Sequence, residues 1–226
     1  MLPLLLTACA RAEGALAPTG VAADVPTTDY SDQVEQSYLP DVEAASLAPV
    51  INYVDGLNMA LTGDFEYIKT SAASNCGCLD IAQRLGAIAV NELVARFTAD
   101  GDVNDYELIA LVLVRFKDLQ VRDYAMGLAT EENKDQLFNL WYWLMNIAPA
   151  GFIAPVACIF AACAYESGEC DLAHKALDKA FSDLPAYPLG LLLRRVFQAA
   201  WPADSFAAMR AQLHPKICAT LFGSSI

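Results

Sequence analysis

The sequence predicts an all-α protein, an antiparallel helical array with one tetratricopeptide-like hairpin, preceded by a disordered N-terminal tail. Three observations carry that prediction. Beyond residue 48, apolar residues recur at spacings of three and four, the period that gathers them on one face of a helix. Gly, Pro and Asn fall between the periodic runs and leave short connections, as antiparallel helical neighbours require. No stretch alternates as a half-buried strand does; the β-branched run 109–114 comes nearest, and the capping signal ahead of it favours helix.

Residues 1–45 read as signal and tether, 46–80 as a short helical segment with a cysteine pair, and 81–226 as the array itself. Leu6-Thr7-Ala8-Cys9 fits a bacterial lipobox, in which small residues precede a cysteine that is diacylated and becomes the mature N-terminus. Residues 10–30 are rich in Ala, Pro, Thr and Gly, as a tether between a lipid and a folded domain would be. A secretory signal also needs a basic start and an apolar run of about 7–15 residues, whereas here no Lys or Arg precedes Arg11. Two readings follow. One is a lipoprotein whose signal starts upstream, lipidated at Cys9 and held at the outer face of the cell membrane; the other is an acidic tail on a cytoplasmic protein.

A first helix is expected over 49–62, where Val50, Val54, Leu57 and Leu61 share a face, Pro49 suits the first turn and Gly63 the stop. A second is expected over 79–97, with Ile81, Leu85, Ile88, Leu93 and Phe97 facing the core, closed by Ala99-Asp100-Gly101. Asn104-Asp105-Tyr106-Glu107 has capping-box spacing and opens a helix over 105–117. Helices follow over 121–130 and 134–147, the latter carrying Leu137, Leu140, Trp141, Leu144 and Met145. Pro149-Ala150-Gly151 separates them from helices over 155–165, 171–184, 189–199 and 204–213. Gly168, Ala173, Ala180 and Pro185 fall at the offsets of a tetratricopeptide hairpin, with Ala161, Ala162 and Ala164 placed to meet Ala173, Ala176 and Ala180. One such period further on, roughly 34 residues, Ala173 finds Ala207, but Gly168 finds Pro202 and Ala180 finds His214. One hairpin is therefore expected, and not a repeat domain. No run reaches the length of about 18 apolar residues that a membrane span needs, since 137–164 is interrupted by Asn139, Asn146 and Pro149.

With 27 acidic against 14 basic residues the formal charge is −13. Nucleic-acid binding is not expected of such a chain, because a phosphate backbone is held by clustered Lys and Arg. Apolar residues at 56% argue against a largely disordered protein. Residues 1–80 hold 11 acidic and 2 basic residues, an excess that a solvated tail explains more simply than a recognition surface.

Seven cysteines are present: Cys9, Cys76, Cys78, Cys158, Cys163, Cys170 and Cys218. Lipidation of Cys9 would leave an even set. Cys76-Gly77-Cys78 is the candidate disulfide or redox pair, with two free thiols or a structural bridge as the simpler account; no second Cys or His pair completes a zinc site. Cys158 and Cys163 lie in apolar helices and read as small core residues. His174 is expected to make a surface ion pair with Asp171 or Asp178, and neither it nor His214 has metal-binding or general-base spacing. No phosphate loop, dinucleotide fingerprint or nucleophile elbow occurs. No catalytic residue, cofactor or metal is therefore assigned. Arg122-Asp123 is expected to make a carboxylate contact that sets a helix angle. The candidate interaction residues are Trp141 and Trp143, in an aromatic group with Phe138 and Tyr142, and the pair Arg194-Arg195, which either binds an anion or covers the protein's own acidic surface.

Val103 to Leu108, Lys117-Asp118-Leu119-Gln120-Val121-Arg122-Asp123, the Trp141 and Trp143 helix, Ala148-Pro149-Ala150-Gly151-Phe152, and Ser167-Gly168-Glu169-Cys170 through Ala180 to Leu191-Leu192-Leu193 occur in one order. In these features the chain from about residue 81 resembles the C-terminal helical part of an actinobacterial family known only as a domain of unknown function. The resemblance implies no activity, ligand or catalytic residue, and the α/β portion usual at that family's N-terminus is expected to be missing. Upstream, Tyr53-Val54-Asp55-Gly56-Leu57-Asn58-Met59-Ala60, Gly63-Asp64 and Cys76-Gly77-Cys78 resemble the opening of an actinobacterial family of predicted lipoproteins of unknown function, which implies a lipobox and a tether. The expected function is a non-enzymatic helical module that binds a protein or peptide partner, anchored by its N-terminal lipid. The alternative is a cytoplasmic accessory or regulatory domain that binds a small ligand between helices.

Overall fold

Composition dictates which helix sits in the middle. Residues 153–166 carry no charged side chain before Glu166, and a helix that is apolar all round is stable only when surrounded. The structure, a computed structural model that describes residues 76–223, places that stretch at the centre of an all-helical fold. The described residues lie in the second of the two units into which the chain divides, Leu39–Ile226. In chain order the helices are α1 (Cys76–Asp100), α2 (Tyr106–Arg115), α3 (Leu119–Gly127), α4 (Lys134–Ile147), α5 (Ile153–Glu166), α6 (Cys170–Asp183), α7 (Pro188–Gln198) and α8 (Ala203–Phe222). Among the described residues there is no strand, and the run 109–114 is helical as its capping signal requires. The helix expected over 49–62 and the N-terminal tail lie outside the described residues.

Every residue of α5 from Ala154 to Tyr165 is buried, and α3, α4, α6, α7 and α8 all pack against it. Among the described helices the α5–α6 pair makes the most extensive contact. Ala161, Ala162 and Ala164 of α5 and Ala173, Ala176 and Ala180 of α6 are all buried. Gly168, at φ +83°, ends α5 and turns the chain into α6.

Local caps follow from the sequence. Asp105 caps α2, its Oδ1 accepting from the Leu108 amide at 3.0 Å. The cap is thus one residue later than the box starting at Asn104, because Asp105 itself supplies the acceptor. Asp118 caps α3 by accepting from the amides of Gln120 (2.8 Å) and Val121 (3.4 Å). Pro188 occupies the first turn of α7, where its missing N–H costs nothing.

Two expectations are corrected. α8 does not stop at Leu213 but continues through Pro215 to Phe222. Its last turn is held from outside, with Leu221 buried and its carbonyl accepting from Arg84 Nε of α1 at 3.1 Å. This tertiary anchoring outweighs the hydrogen bond that a proline removes. On α1, Leu93 and Phe97 are core, but Ile81, Leu85 and Ile88 are exposed by 59%, 53% and 49%. The step from Ile88 to Leu93 is five residues and turns the face by about 140°, so the five were never one stripe. Close approach fixes the rotation: a Cβ on Gly86 would stand 2.9 Å from Val121 Cγ2 of α3. With Gly86 inward, Ala87, Val90, Leu93 and Phe97 follow it into the core and the three large aliphatics turn out.

Candidate functional site

The outward stripe of α1 is the most distinctive surface of the described residues. Ile81, Leu85 and Ile88 stand at i, i+4 and i+7, the spacing at which helical side chains form one row. Large aliphatics elsewhere are exposed one at a time, as Leu119, Leu184 and Leu191 are. The flanks of the row are pinned by polar bonds. Gln83 Nε2 donates to Asp118 Oδ2 at 2.9 Å, Arg84 holds the end of α8, and Asn91 Oδ1 accepts from the Tyr124 hydroxyl at 2.9 Å. These contacts tie α1 to α3 and α8 and leave the apolar row facing outward.

The residues singled out in the sequence do not converge. Cys9 lies outside the described residues. Cys76 and Cys78 open α1 on helical backbone, and their side chains also lie outside the described residues. Trp141 and Trp143 are buried rather than offered to a partner: Trp141 meets Phe116 edge-on at 6.0 Å, and Trp143 packs on Phe97 at 5.4 Å. The reason is that the aromatic residues of α4 find neighbours on several elements, Phe138 and Tyr142 on Phe160 of α5, Trp143 on Phe97 of α1 and Trp141 on Phe116 after α2. Arg194 pairs with Asp178 at 2.6 Å and lies over the Phe181 ring, 4.8 Å from its centroid, while Arg195 is exposed. Arg194 has therefore taken the carboxylate expected for His174, whose ring instead meets Phe197 edge-on at 5.9 Å.

Buried polar groups are used to join helices. Arg122, 6% exposed, bonds Asp123 Oδ1 at 2.5 and 2.9 Å and the Tyr187 hydroxyl at 3.1 Å, linking α3 to the start of α7. Arg210 of α8 forms a bidentate pair with Glu166 of α5, 2.7 Å on each arm. Its Nη1 also donates to the carbonyls of Met126, Gly127 and Ala129 at 3.3, 3.3 and 2.9 Å, closing the C-terminus of α3. Asp183 at the end of α6 reaches back to the start of α5, accepting from the amides of Gly151 (2.5 Å) and Ala154 (2.9 Å).

The buried thiols are quiet. Burial pushes Cys158 and Cys163 up to about 12, so both remain protonated near neutral pH. Cys218 Sγ lies 3.4 Å from His214 Nε2, and burial raises that thiol as well. Burial, and then the Arg210 charge, lowers the His214 pKa and favours its neutral form. Its ring fills the space against Gly127, where a Cβ would overlap it.

At the α1–α2 turn an open cleft of about 630 Å³ is lined by Arg96, Asp100, Asp102, Asn104, Asp105 and Glu107 among others. Arg96 there is engaged by Glu92 at 2.7 Å and Asp105 at 2.6 Å. Among the described residues no group of three or more His, Cys, Asp or Glu is placed to hold a metal ion, and no helix is long and apolar enough to cross a membrane.

Arg210–Glu166, Asp183 and the α1 stripe are the features that sequence reasoning missed. No curated protein and no solved structure matches the chain. Residues 71–204, from just before α1 to the first residues of α8, match the family described as Domain of unknown function (DUF4192), and the chain belongs to that family.

Proposed function

We propose that the protein is an interaction module, a helical array that receives an amphipathic helix on the outward face of α1 and is held at the outer face of the cell membrane through a lipid on Cys9. The observation that carries the reading is the row of Ile81, Leu85 and Ile88, each about half exposed or more, at the spacing of a helix-recognition face. Single exposed aliphatics need no explanation, whereas a contiguous row marks a contact surface. The charges between helices support the same reading, because the buried Arg122 and Arg210 and the half-buried Asp183 spend hydrogen bonds on holding helices in place. A scaffold of this kind presents a fixed face.

The test is fluorescence anisotropy of a labelled synthetic amphipathic peptide with leucines at i, i+4 and i+7, titrated with the full chain. Saturable binding is expected, weakened at least tenfold by Leu85→Glu and unchanged by Leu191→Glu on α7. Equal loss from both substitutions, or no saturable binding, overturns the α1 face as the docking surface.

The anchor is supported by Leu6-Thr7-Ala8-Cys9 and by the Ala-, Pro- and Thr-rich stretch behind it. Intact-mass analysis of the membrane fraction of the native host is expected to find a diacylglycerol-modified chain beginning at Cys9, abolished by Cys9→Ala. An unmodified chain that retains Met1 contradicts the anchor and leaves the docking face untouched.

A further inference from the structure

The docking face raises the question of which helix it receives. Resting on the reading above, we propose that the resident occupant is the chain's own segment 49–62, folded back on α1 in cis, so that a helix from another protein engages the face only by displacing it. The two rows have matching period. Val50, Val54, Leu57 and Leu61 repeat at steps of four, three and four; Ile81, Leu85 and Ile88 repeat at four and three. Two such rows interdigitate as ridges into grooves.

The connection reaches. Thirteen residues, 63–75, separate the segment from Cys76. Extended, they span roughly 43 Å, whereas α1 from Cys76 to Ile88 covers about 18 Å. The stripe begins five residues after Cys76, so the connection is long enough for a fold-back to bring the segment to it. Closing a connection of this length costs little entropy and gives the segment an effective concentration of order millimolar at the face.

Each partner also lacks what the other provides. A helix of 14 residues is marginal alone in water and needs an apolar surface to persist. Asp55 is the only charged residue between 49 and 62, so the segment brings almost no charge to be desolvated. The α1 row, in turn, is the one place in the described residues where three large aliphatics stand together uncovered. A partner in trans then meets a face already occupied at high local concentration, which makes the segment a built-in competitor.

The peptide titration and hydrogen exchange on the full chain test this together. Leu57→Glu is expected to tighten apparent peptide binding at least tenfold, because it removes the competitor. In the unsubstituted chain the amides of 50–61 are expected to exchange at least tenfold more slowly than in Leu85→Glu, with the amides of α5 unchanged in both. Far-UV circular dichroism checks that each variant keeps its helix content. Peptide binding that Leu57→Glu leaves unchanged but Leu85→Glu abolishes overturns the cis occupant and leaves the docking face standing. Protection of 50–61 that appears only with a dimer mass assigns the occupant to a second copy and also overturns it. No peptide binding together with unprotected 50–61 overturns the docking face as well.

Discussion

Arg210→Met is expected to destabilise the protein by about 3–5 kcal/mol, the cost of breaking a buried ion pair by removing one partner. For a domain of this size that corresponds to a fall in Tm of roughly 6–20 °C. The magnitude does not come from the pair itself, since a buried ion pair gains little over apolar packing. It comes from what is left behind. Glu166, 14% exposed at its side chain, would keep a charge with no counter-ion, and the carbonyls at the end of α3 would lose the donor they share. Three helices meet at this guanidinium, so α3, α5 and α8 loosen together. Arg210→Lys is expected to recover only part of the loss, because an ammonium cannot reproduce the bidentate fork. Arg210→Met combined with Glu166→Leu is expected to be milder than Arg210→Met alone, as the orphaned carboxylate is then gone. Thermal unfolding of the single and double variants measures this, and a single variant within about 1 kcal/mol of the parent protein, below the range for a broken buried pair, refutes the clamp.

Trp141→Ala is expected to cost about 3–5 kcal/mol, as large-to-small changes at fully buried aromatic positions do. Trp141 is 0% exposed, and its ring stands edge-on to Phe116 between α4 and the end of α2. Trp141→Phe separates packing from polarity. The indole N–H is buried with no acceptor among the described residues, and an unsatisfied buried donor carries a penalty of about 1–3 kcal/mol. Phenylalanine removes that donor along with some volume, so the two effects oppose and the net cost is expected to be well below that of alanine. Denaturant titration of both variants is the check. Equal losses from the two would contradict this, because the ring volume that phenylalanine keeps would then contribute nothing.

What the sequence made legible was local. Period, caps and breakers act within a few residues, and they located α2 through α7 to within a few positions, with the Asn104–Glu107 capping signal marking the start of α2, whereas the Asp118 cap, which starts α3 two residues before the expected 121, was not read. Cys158 and Cys163, read as small core residues of an apolar helix, are both buried. What remained hidden depends on contacts between distant residues. Glu166 and Arg210 are 44 residues apart, and Asp183 caps α5 from 29 and 32 residues away, spacings with no periodic signature. The length of α8 was misjudged for the same reason: Pro215 is a local stop signal, and the bond from Arg84 to Leu221 that overrides it is not local. The α1 face was misassigned differently. Apolar identity was taken as inwardness, while the element that sets the rotation is Gly86, whose missing side chain admits Val121. Large residues then turn outward because a small one must turn in. The aromatic group on α4 shows the converse, where Trp141 and Trp143 carry a partner-site composition but fill the core.

The central claim, that α1 presents a docking face covered by the chain's own upstream segment, is tested most directly by thiol labelling at position 85. Leu85→Cys in the full chain is treated with a maleimide, and its rate is read by peptide mass against the exposed Cys170 in the same molecule. Slow labelling at 85 that rises to the rate of Cys170 when Leu57→Glu is added is the predicted result. Fast labelling with or without Leu57→Glu would show that nothing covers the face, and slow labelling in both would show that residue 85 points into the core, contradicting the rotation that Gly86 imposes.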